Sequence, residues 1–272
     1  MTVVLVHGNP ETDGIWEPLV DALGARDVVR LSPPGFGAPV PPGWRATPTA
    51  YRDWLAAKLE ALAQPVDLVG HDWGGAHVVG VAMTRPELLR SWCTDSIGWF
   101  EPDYAWHTLA RAWQTPGVGE TSVAAMTTGG VQDRAGYLTS IGVPASVAEL
   151  LARGSDQVSG QCVLELYRSA AQPTMTQLGQ HLPAASRRPG LVLLATLDHA
   201  TGTNDMCRAA AARAGAHLEV LASLGHWWMI QDPHQAASLL QQFWDMAEQE
   251  PSRYASAGAP GAVVTELGTA SR

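Results

Sequence analysis

Several kinds of protein are excluded by what this 272-residue chain lacks. Its three cysteines, Cys93, Cys162 and Cys207, are widely spaced and odd in number, so neither a disulfide framework nor a cysteine metal site is visible. Positive charge is also scarce, because 17 Lys and Arg stand against 26 Asp and Glu and the net charge is -9. This balance argues against nucleic acid or an anionic membrane surface as the main partner.

Long apolar runs are missing as well. The first residues, MTVVLVHG, contain a short apolar stretch with no basic region before it, so they predict a strand and not a signal peptide. No later run reaches the length that a transmembrane helix needs. The sequence therefore predicts a cytoplasmic protein.

The composition that is present suits one globular α/β domain with an inserted cap. Apolar residues make up 46% of the chain and charged residues 16%. The chain has eleven Trp but only three Phe, and many of the Trp lie in or near the predicted cap. We therefore expect an apolar pocket lined by aromatic side chains.

The chain is organised around Val66–Val79, which reads VDLVGHDWGGAHVV. An apolar strand leads into a sharp turn and an apolar helix, and glycines at positions 70, 74 and 75 flank one side chain, Asp72. Small residues suit such a turn because the strand and the helix nearly touch there. The pattern predicts a nucleophile elbow, with aspartate where an esterase has serine. The alternative is an aspartate that only caps a helix N-terminus, which is common.

A carboxylate nucleophile narrows the chemistry. Asp72 is already charged at neutral pH and can displace a leaving group from a saturated carbon, which leaves an alkyl ester on the enzyme. Water must then hydrolyse this ester, so a general base is still required.

Three further segments accompany the elbow. The first strand leads into HGNPET at residues 7–12, Pro189–Asp198 reads PGLVLLATLD, and Leu224–Pro233 reads LGHWWMIQDP. Together with the elbow they resemble the epoxide hydrolase and haloalkane dehalogenase group of the α/β-hydrolase superfamily. The resemblance covers roughly residues 2–248 and is weakest in the cap.

The resemblance implies a catalytic role for several residues. Asp72 would be the nucleophile and His226 the base that activates water, oriented by Asp198. Asp95, at the end of the preceding predicted strand, is the alternative orienting acid. The segment around His226 departs from the family pattern, since Gln and Asp stand at positions 231 and 232 where a Glu is usual.

The resemblance also implies an oxyanion site formed by the backbone N–H groups of Asn9 and Trp73. An alternative is that the Gly and Pro of this loop serve the turn alone. The Gly/Pro-rich loop that begins at Ser32 has lost the acid that the family carries there, and we expect it only to form a pocket wall. We expect the pocket to be lined by His7, Phe36, Trp113 and Trp227.

The leaving group is less well defined. Epoxide opening in this family uses two cap tyrosines, and the segment LELYR places one of them at Tyr167. The other position appears as Ala112, with Tyr104 and Tyr137 as substitutes that fit no motif. Each of these two is more often a half-buried aromatic.

Halide release would instead use the N–H groups of Asn9 and Trp73, a pair that matches haloalkane dehalogenases. Fluoroacetate-type dehalogenation is disfavoured, because that subfamily has an arginine directly after the nucleophile. We therefore predict an epoxide hydrolase that gives a vicinal diol, with a haloalkane dehalogenase as the alternative. A non-catalytic ligand receptor on the same fold is a third, weaker alternative, and the missing serine disfavours an esterase.

The predicted fold is a mostly parallel, doubly wound α/β sheet of about six strands with an inserted helical cap. Residues 1–97 and 189–250 would form the core, residues 98–188 the cap, and residues 251–272 a weakly ordered tail. The expected partners are a small apolar organic substrate and water, with no metal or organic cofactor, no nucleic acid and no membrane. The oligomeric state stays open, and a homodimer is one option.

Overall fold

The computed structural model of this protein describes residues 1–24 and 26–249. The tail predicted for residues 251–272 lies outside the described residues. The six strands form one sheet in the order β2-β1-β3-β4-β5-β6, and every neighbouring pair is parallel. The strands are β1 (Thr2–Val6), β2 (Asp27–Leu31), β3 (Val66–Gly70), β4 (Leu89–Thr94), β5 (Gly190–Ala195) and β6 (His217–Leu221). The predicted fold class and the expected number of strands are confirmed.

Helices connect the strands, as parallel pairing requires. Those associated with the sheet are α1 (Glu17–Leu23), α2 (Pro48–Glu60), α3 (Trp73–Thr84), α10 (Asn204–Arg213), α11 (Trp228–Gln231) and α12 (Pro233–Gln249). Between β4 and β5 lie α4 (Thr108–Gln114), α5 (Val118–Thr127), α6 (Val131–Ser140), α7 (Ala145–Gly154), α8 (Gln157–Ser169) and α9 (Thr174–Gly179).

Short 3-10 helices complete the described elements. They span Asp13–Trp16, Pro86–Leu88, Gly98–Phe100 and Leu182–Arg187. The sequence pattern of residues 13–23 predicts a single helix, whereas the structure has the 3-10 helix Asp13–Trp16 followed by α1. Pro18 in the first turn of α1 lacks a backbone N–H, and this position favours the start of a new helix.

Burial explains why the central strands read as continuous apolar runs. All residues of β1, β3 and β5 are buried, since helices cover both faces of the sheet. One apolar cluster contains residues of α1 and α12, and the other contains residues of α2, α3 and the helices between β4 and β5. The edge strands β2 and β6 are partly exposed. The carboxyl ends of the strands meet at one edge of the sheet, where an α/β protein places its site.

We refer to residues 98–188 as the helical segment. Its α-helices are α4 to α9, and the described structure has no strand between β4 and β5. The boundaries between core and cap, at residues 97/98 and 188/189, stay a prediction. Over the described ranges, no helix combines the length and the apolar character that crossing a membrane requires.

Candidate active site

Asp72 sits in a turn that few residue types tolerate. Its φ of 51° and ψ of -126° place it in the positive-φ region, which is unusual for a residue other than glycine. β3 ends at Gly70 and α3 begins at Trp73, so the chain reverses direction over two residues. A Cβ at Gly74 would overlap the backbone of β1, and one at Gly70 would overlap the backbone of α3. The glycine pattern of the elbow is therefore a packing requirement.

The Asp72 carboxylate is buried but receives hydrogen bonds. The backbone N–H of Asn9 donates to Oδ1 over 3.1 Å, and the N–H of Trp73 also favours the charged form. Burial raises the pKa of Asp72 to about 6, although the positive charge of His226 opposes this shift. Asp72 is therefore largely ionised at neutral pH and available as a nucleophile.

His226 lies between two carboxylates. Its Nδ1 is 2.9 Å from Asp198 Oδ2, and its Nε2 is 3.8 Å from Asp72 Oδ2. Burial lowers the pKa of His226, but the charge of Asp198, its hydrogen bond and the charge of Asp72 together outweigh burial, and the pKa rises to about 9. Burial likewise opposes ionisation of Asp198, yet the charge of His226 holds its pKa below the ordinary value. The three side chains predicted for catalysis are thus brought together, with the His226 imidazole between the carboxylates of Asp198 and Asp72.

Asp95, the alternative acid, bonds to a different imidazole. Its Oδ2 lies 2.5 Å from His71 Nδ1 and accepts the indole N–H of Trp228 over 2.6 Å. Its Oδ1 accepts the backbone N–H of Asp72 over 3.1 Å. In this geometry Asp198, and not Asp95, contacts His226.

A buried charge cluster under the elbow escaped sequence analysis. His71 Nε2 lies 3.1 Å from Glu11 Oε1, which also accepts the indole N–H of Trp227. Burial opposes protonation of His71, but the charges of Glu11 and Asp95 raise its pKa well above the ordinary value. Burial also opposes ionisation of Glu11, yet His71 lowers its pKa to about 2. A positively charged imidazole thus lies next to Asp72 in the chain.

The same cluster offers one group of potential metal ligands. Atoms of Glu11, His71 and His226 all lie within 4.8 Å of one another. A metal needs the neutral imidazole, whereas His71 is held in its protonated form by two carboxylates. These residues therefore fit an ion-pair network better than a metal site.

A cavity of about 230 Å³ opens next to Asp72. The core contributes polar groups to its wall, among them Asn9, Glu11 and His226, whereas the helical segment contributes mainly apolar ones. The apolar residues of the helical segment are Leu109, Trp113, Met126, Leu138, Ile141, Val143 and Leu151. The cavity has the mixed character typical of a small-molecule site.

Two of the four predicted pocket residues line this cavity, namely Trp113 and Trp227. Phe36 does not, because its ring packs against Tyr51 with centroids 6.1 Å apart. His7 also lies outside the lining, since it is completely buried and its Nδ1 bonds to the carbonyl of Gly8. The expectation that these two residues form the pocket is corrected.

Only one of the candidate tyrosines lines the cavity. Tyr167 lies on its wall, with its ring 4.6 Å from Trp113 and 5.4 Å from Trp73. Burial and the charge of Asp72 raise the pKa of Tyr167, so its hydroxyl stays protonated. The other two are engaged elsewhere: Tyr104 donates to the carbonyl of Ala200, and the Tyr137 hydroxyl pairs with Ser122.

Several buried donors near the site have no partner among the described residues. They include the side-chain amide nitrogen of Asn9 and the indole nitrogens of Trp73 and Trp113. A buried polar group without a partner is costly and suggests a ligand acceptor in the occupied state.

Sequence analysis also missed His107, which lines the cavity. It precedes α4, and its Nδ1 accepts the backbone N–H of Ala110 as an N-cap. Histidine is not among the preferred capping residues, and no motif marks this position. Its place on the cavity wall follows only from the folded chain.

Residues 3–239 match the sequence profile of the alpha/beta hydrolase family. The chain therefore belongs to this family, in agreement with its parallel sheet, its elbow and the order of its site residues.

Individual relatives match at lower similarity. An epoxide hydrolase of Caballeronia sordidicola is 30% identical over 94 residues, which cover 33% of this chain and 29% of that protein. The matches span 1%, 34% and 29% of the lengths of the curated relatives. Among solved structures, haloalkane dehalogenase DbeA of Bradyrhizobium elkani has a TM-score of 0.68 at 21% identity, covering 90% of this chain and 91% of that one. An E-2-(acetamidomethylene)succinate hydrolase has a TM-score of 0.70 at 16% identity, also covering 90% and 91%. These structures share the fold.

Proposed function

We propose that this hydrolase acts through a covalent alkyl ester on Asp72 and that its substrate is a small apolar epoxide, which it converts to a vicinal diol. The observation that carries the proposal is the protonated Tyr167 hydroxyl on the wall of the cavity that also exposes Asp72. An epoxide needs such a donor because its leaving group is an oxygen that becomes basic as the ring opens.

In the first step, a carboxylate oxygen of Asp72 forms a bond to a ring carbon while the C–O bond of the ring breaks. Tyr167 gives its hydroxyl proton to the departing oxygen, which becomes a hydroxyl group, and the tyrosinate then takes a proton from water. The hydrogen bond from Asn9 N–H to Oδ1 fixes the carboxylate, so that Oδ2 is the oxygen that attacks.

In the second step, water hydrolyses the ester. His226 removes a proton from water, the water oxygen adds to the ester carbonyl, and the diol leaves as the Asp72 carboxylate is restored. The negative charge of Asp72 helps to raise the pKa of His226. Ester formation removes this charge, so the base becomes neutral more readily at the stage that needs it.

The backbone N–H groups of Asn9 and Trp73 would stabilise the oxyanion of this step. Residues 98–188 would act as the cap, since their apolar side chains close the cavity above the core. No proposed step calls for a metal or an organic cofactor.

Release of halide from a haloalkane is the second candidate, and a specific observation favours it. The Asn9 amide nitrogen and the Trp73 indole nitrogen are buried and lack partners within the described part of the chain. Asn9 lines the cavity together with Asp72, and a weak N–H donor there suits a halide, which leaves without a proton. The ester on Asp72 and its hydrolysis by His226 would be the same.

The test uses His226→Gln, incubated separately with epoxides and haloalkanes and analysed by intact mass spectrometry. Without its base the protein should stall as an ester. We expect an adduct with the full mass of the epoxide, located on Asp72 by peptide mapping. Asp72→Asn in the same background is the matched control and should give no adduct.

An adduct that contains the alkyl group without the halogen, from haloalkanes alone, would establish the second candidate instead. A folded His226→Gln protein that forms no adduct with either panel would contradict both and favour the ligand receptor.

A further inference from the structure

The proposed epoxide opening leaves one requirement unmet. Tyr167 supplies one donor to the departing oxygen, but the position expected for a second tyrosine is Ala112, which has no polar side-chain atom. Tyr104 and Tyr137 are no substitutes, because their hydroxyls bond to Ala200 and Ser122. A second donor, if the chain has one, must come from another side chain on the cavity wall.

His107 is a group of the required kind. Its Nδ1 accepts the backbone N–H of Ala110 over 3.3 Å, so a neutral His107 carries its proton on Nε2. Burial lowers the pKa of His107 to about 4, which keeps the ring neutral at physiological pH. The capping bond thus fixes the tautomer and leaves Nε2–H as a donor.

The position of His107 relative to Tyr167 also fits. Both residues line the same cavity and both contact Trp113, with ring centroids 6.5 Å and 4.6 Å from the indole. The cavity, of about 230 Å³, is also lined by Asp72. A substrate bound at Asp72 therefore occupies the same small cavity whose wall carries both donors.

We propose that His107 is a further catalytic residue, whose Nε2–H hydrogen-bonds with Tyr167 to the substrate oxygen and takes the place of the missing second tyrosine. The assignment rests on the proposed epoxide hydrolase function. In this role His107 only donates a hydrogen bond, so no proton is lost from the ring and no further reactant is needed.

The test compares His107→Asn with His107→Gln, each in the His226→Gln background. Asn is a good N-cap and can still accept from Ala110 N–H, but it is too short to bring a donor to the position of Nε2. Gln is longer and keeps an N–H donor. The maximal rate of ester formation is measured by quenching and intact mass, and a thermal unfolding midpoint checks that both variants are folded.

Two small epoxides separate a catalytic role from a structural one. The oxygen that leaves from 1,2-epoxybutane is more basic than the one from 3,3,3-trifluoro-1,2-epoxypropane, so it depends more on a donor. We expect His107→Asn to slow ester formation from 1,2-epoxybutane by about 10- to 100-fold, in line with the loss of one donor at a developing oxyanion. Ester formation from the trifluoro epoxide should slow less, and His107→Gln should recover part of the rate.

Each other result has a defined meaning. If the two epoxides slow equally in His107→Asn, or neither slows, the assignment of His107 is wrong while the proposed function stands. If neither epoxide forms an ester when His107 is intact, the proposed function fails and the assignment fails with it.

Discussion

The charge of His226 should set the pH at which Asp72 becomes reactive. The pKa of Asp72 is about 6 although His226 lowers it, and the two atoms that face each other are 3.8 Å apart. At this distance, unit charges interact by about 4 kcal/mol at an effective dielectric constant of about 20. A pKa shift of one unit corresponds to about 1.36 kcal/mol. Even a quarter of the interaction energy would therefore move the pKa of Asp72 by a large part of a unit.

The perturbation is His226→Gln, which removes the positive charge and keeps a polar side chain. A carboxylate that loses a nearby positive charge is harder to ionise, so its pKa rises. Single-turnover ester formation, measured by rapid quench and mass spectrometry, should fall with acid around pH 6 in the wild-type protein. In His226→Gln, the loss of this rate on acidification should occur at a clearly higher pH.

A midpoint that stays the same or moves to lower pH would refute this reasoning. It would mean that His226 is neutral when the substrate binds, or that burial alone determines the ionisation of Asp72. His234→Gln is the matched control, because His234 lies in α12 and does not line the cavity.

Three further predictions concern stability and charge. Gly74→Ala should lower the free energy of unfolding by about 1–3 kcal/mol, because its Cβ overlaps the backbone of β1. Gly136→Ala in α6, where the space around the residue is open, should raise it by up to about 1 kcal/mol. Chemical denaturation of both variants measures the difference, and similar free energies would contradict the prediction. Asp198→Asn should bring the pKa of His226 down from about 9, because the carboxylate charge that raises it is gone; NMR titration of the imidazole checks this, and an unchanged pKa would show that Asp198 is not its main partner. Glu11→Gln should lower the free energy of unfolding at neutral pH, because a carboxylate whose pKa is lowered on folding stabilises the protein above its unfolded pKa. The difference in this free energy from wild type should shrink as the pH falls below about 4.5 towards about 2, where the carboxylate becomes protonated. A difference that stays constant with pH in urea unfolding would argue against this.

Much of the core could be predicted from the sequence because its signals are local. The sequence predicts strands over residues 2–6, 89–94 and 217–221, and β1, β4 and β6 have these bounds. β1 in particular is a short apolar run rich in Val that ends at the Gly and Pro of a turn. The elbow at Asp72 could be found because its glycines are required by backbone contacts that any such turn makes.

The rest of the site depends on contacts that no local pattern encodes. Glu11, His71 and Asp95 are far apart in the sequence, and only the fold shows that His71 hydrogen-bonds to both carboxylates. The engagement of Tyr104 with a backbone carbonyl could not be inferred from its residue type. His107 follows no motif and acquires its interest from a capping bond and a cavity that the helical segment creates.

The Asp95 carboxylate has a consequence for anyone who redesigns this protein. It accepts the backbone N–H of Asp72 and the indole N–H of Trp228, and Trp228 lies two residues after His226. The same carboxylate therefore holds the two segments that carry Asp72 and His226, although these belong to distant parts of the chain. A loop graft that keeps Asp95 and its two hydrogen bonds should therefore keep the distance between Asp72 and His226. A graft that removes Asp95 should change this distance.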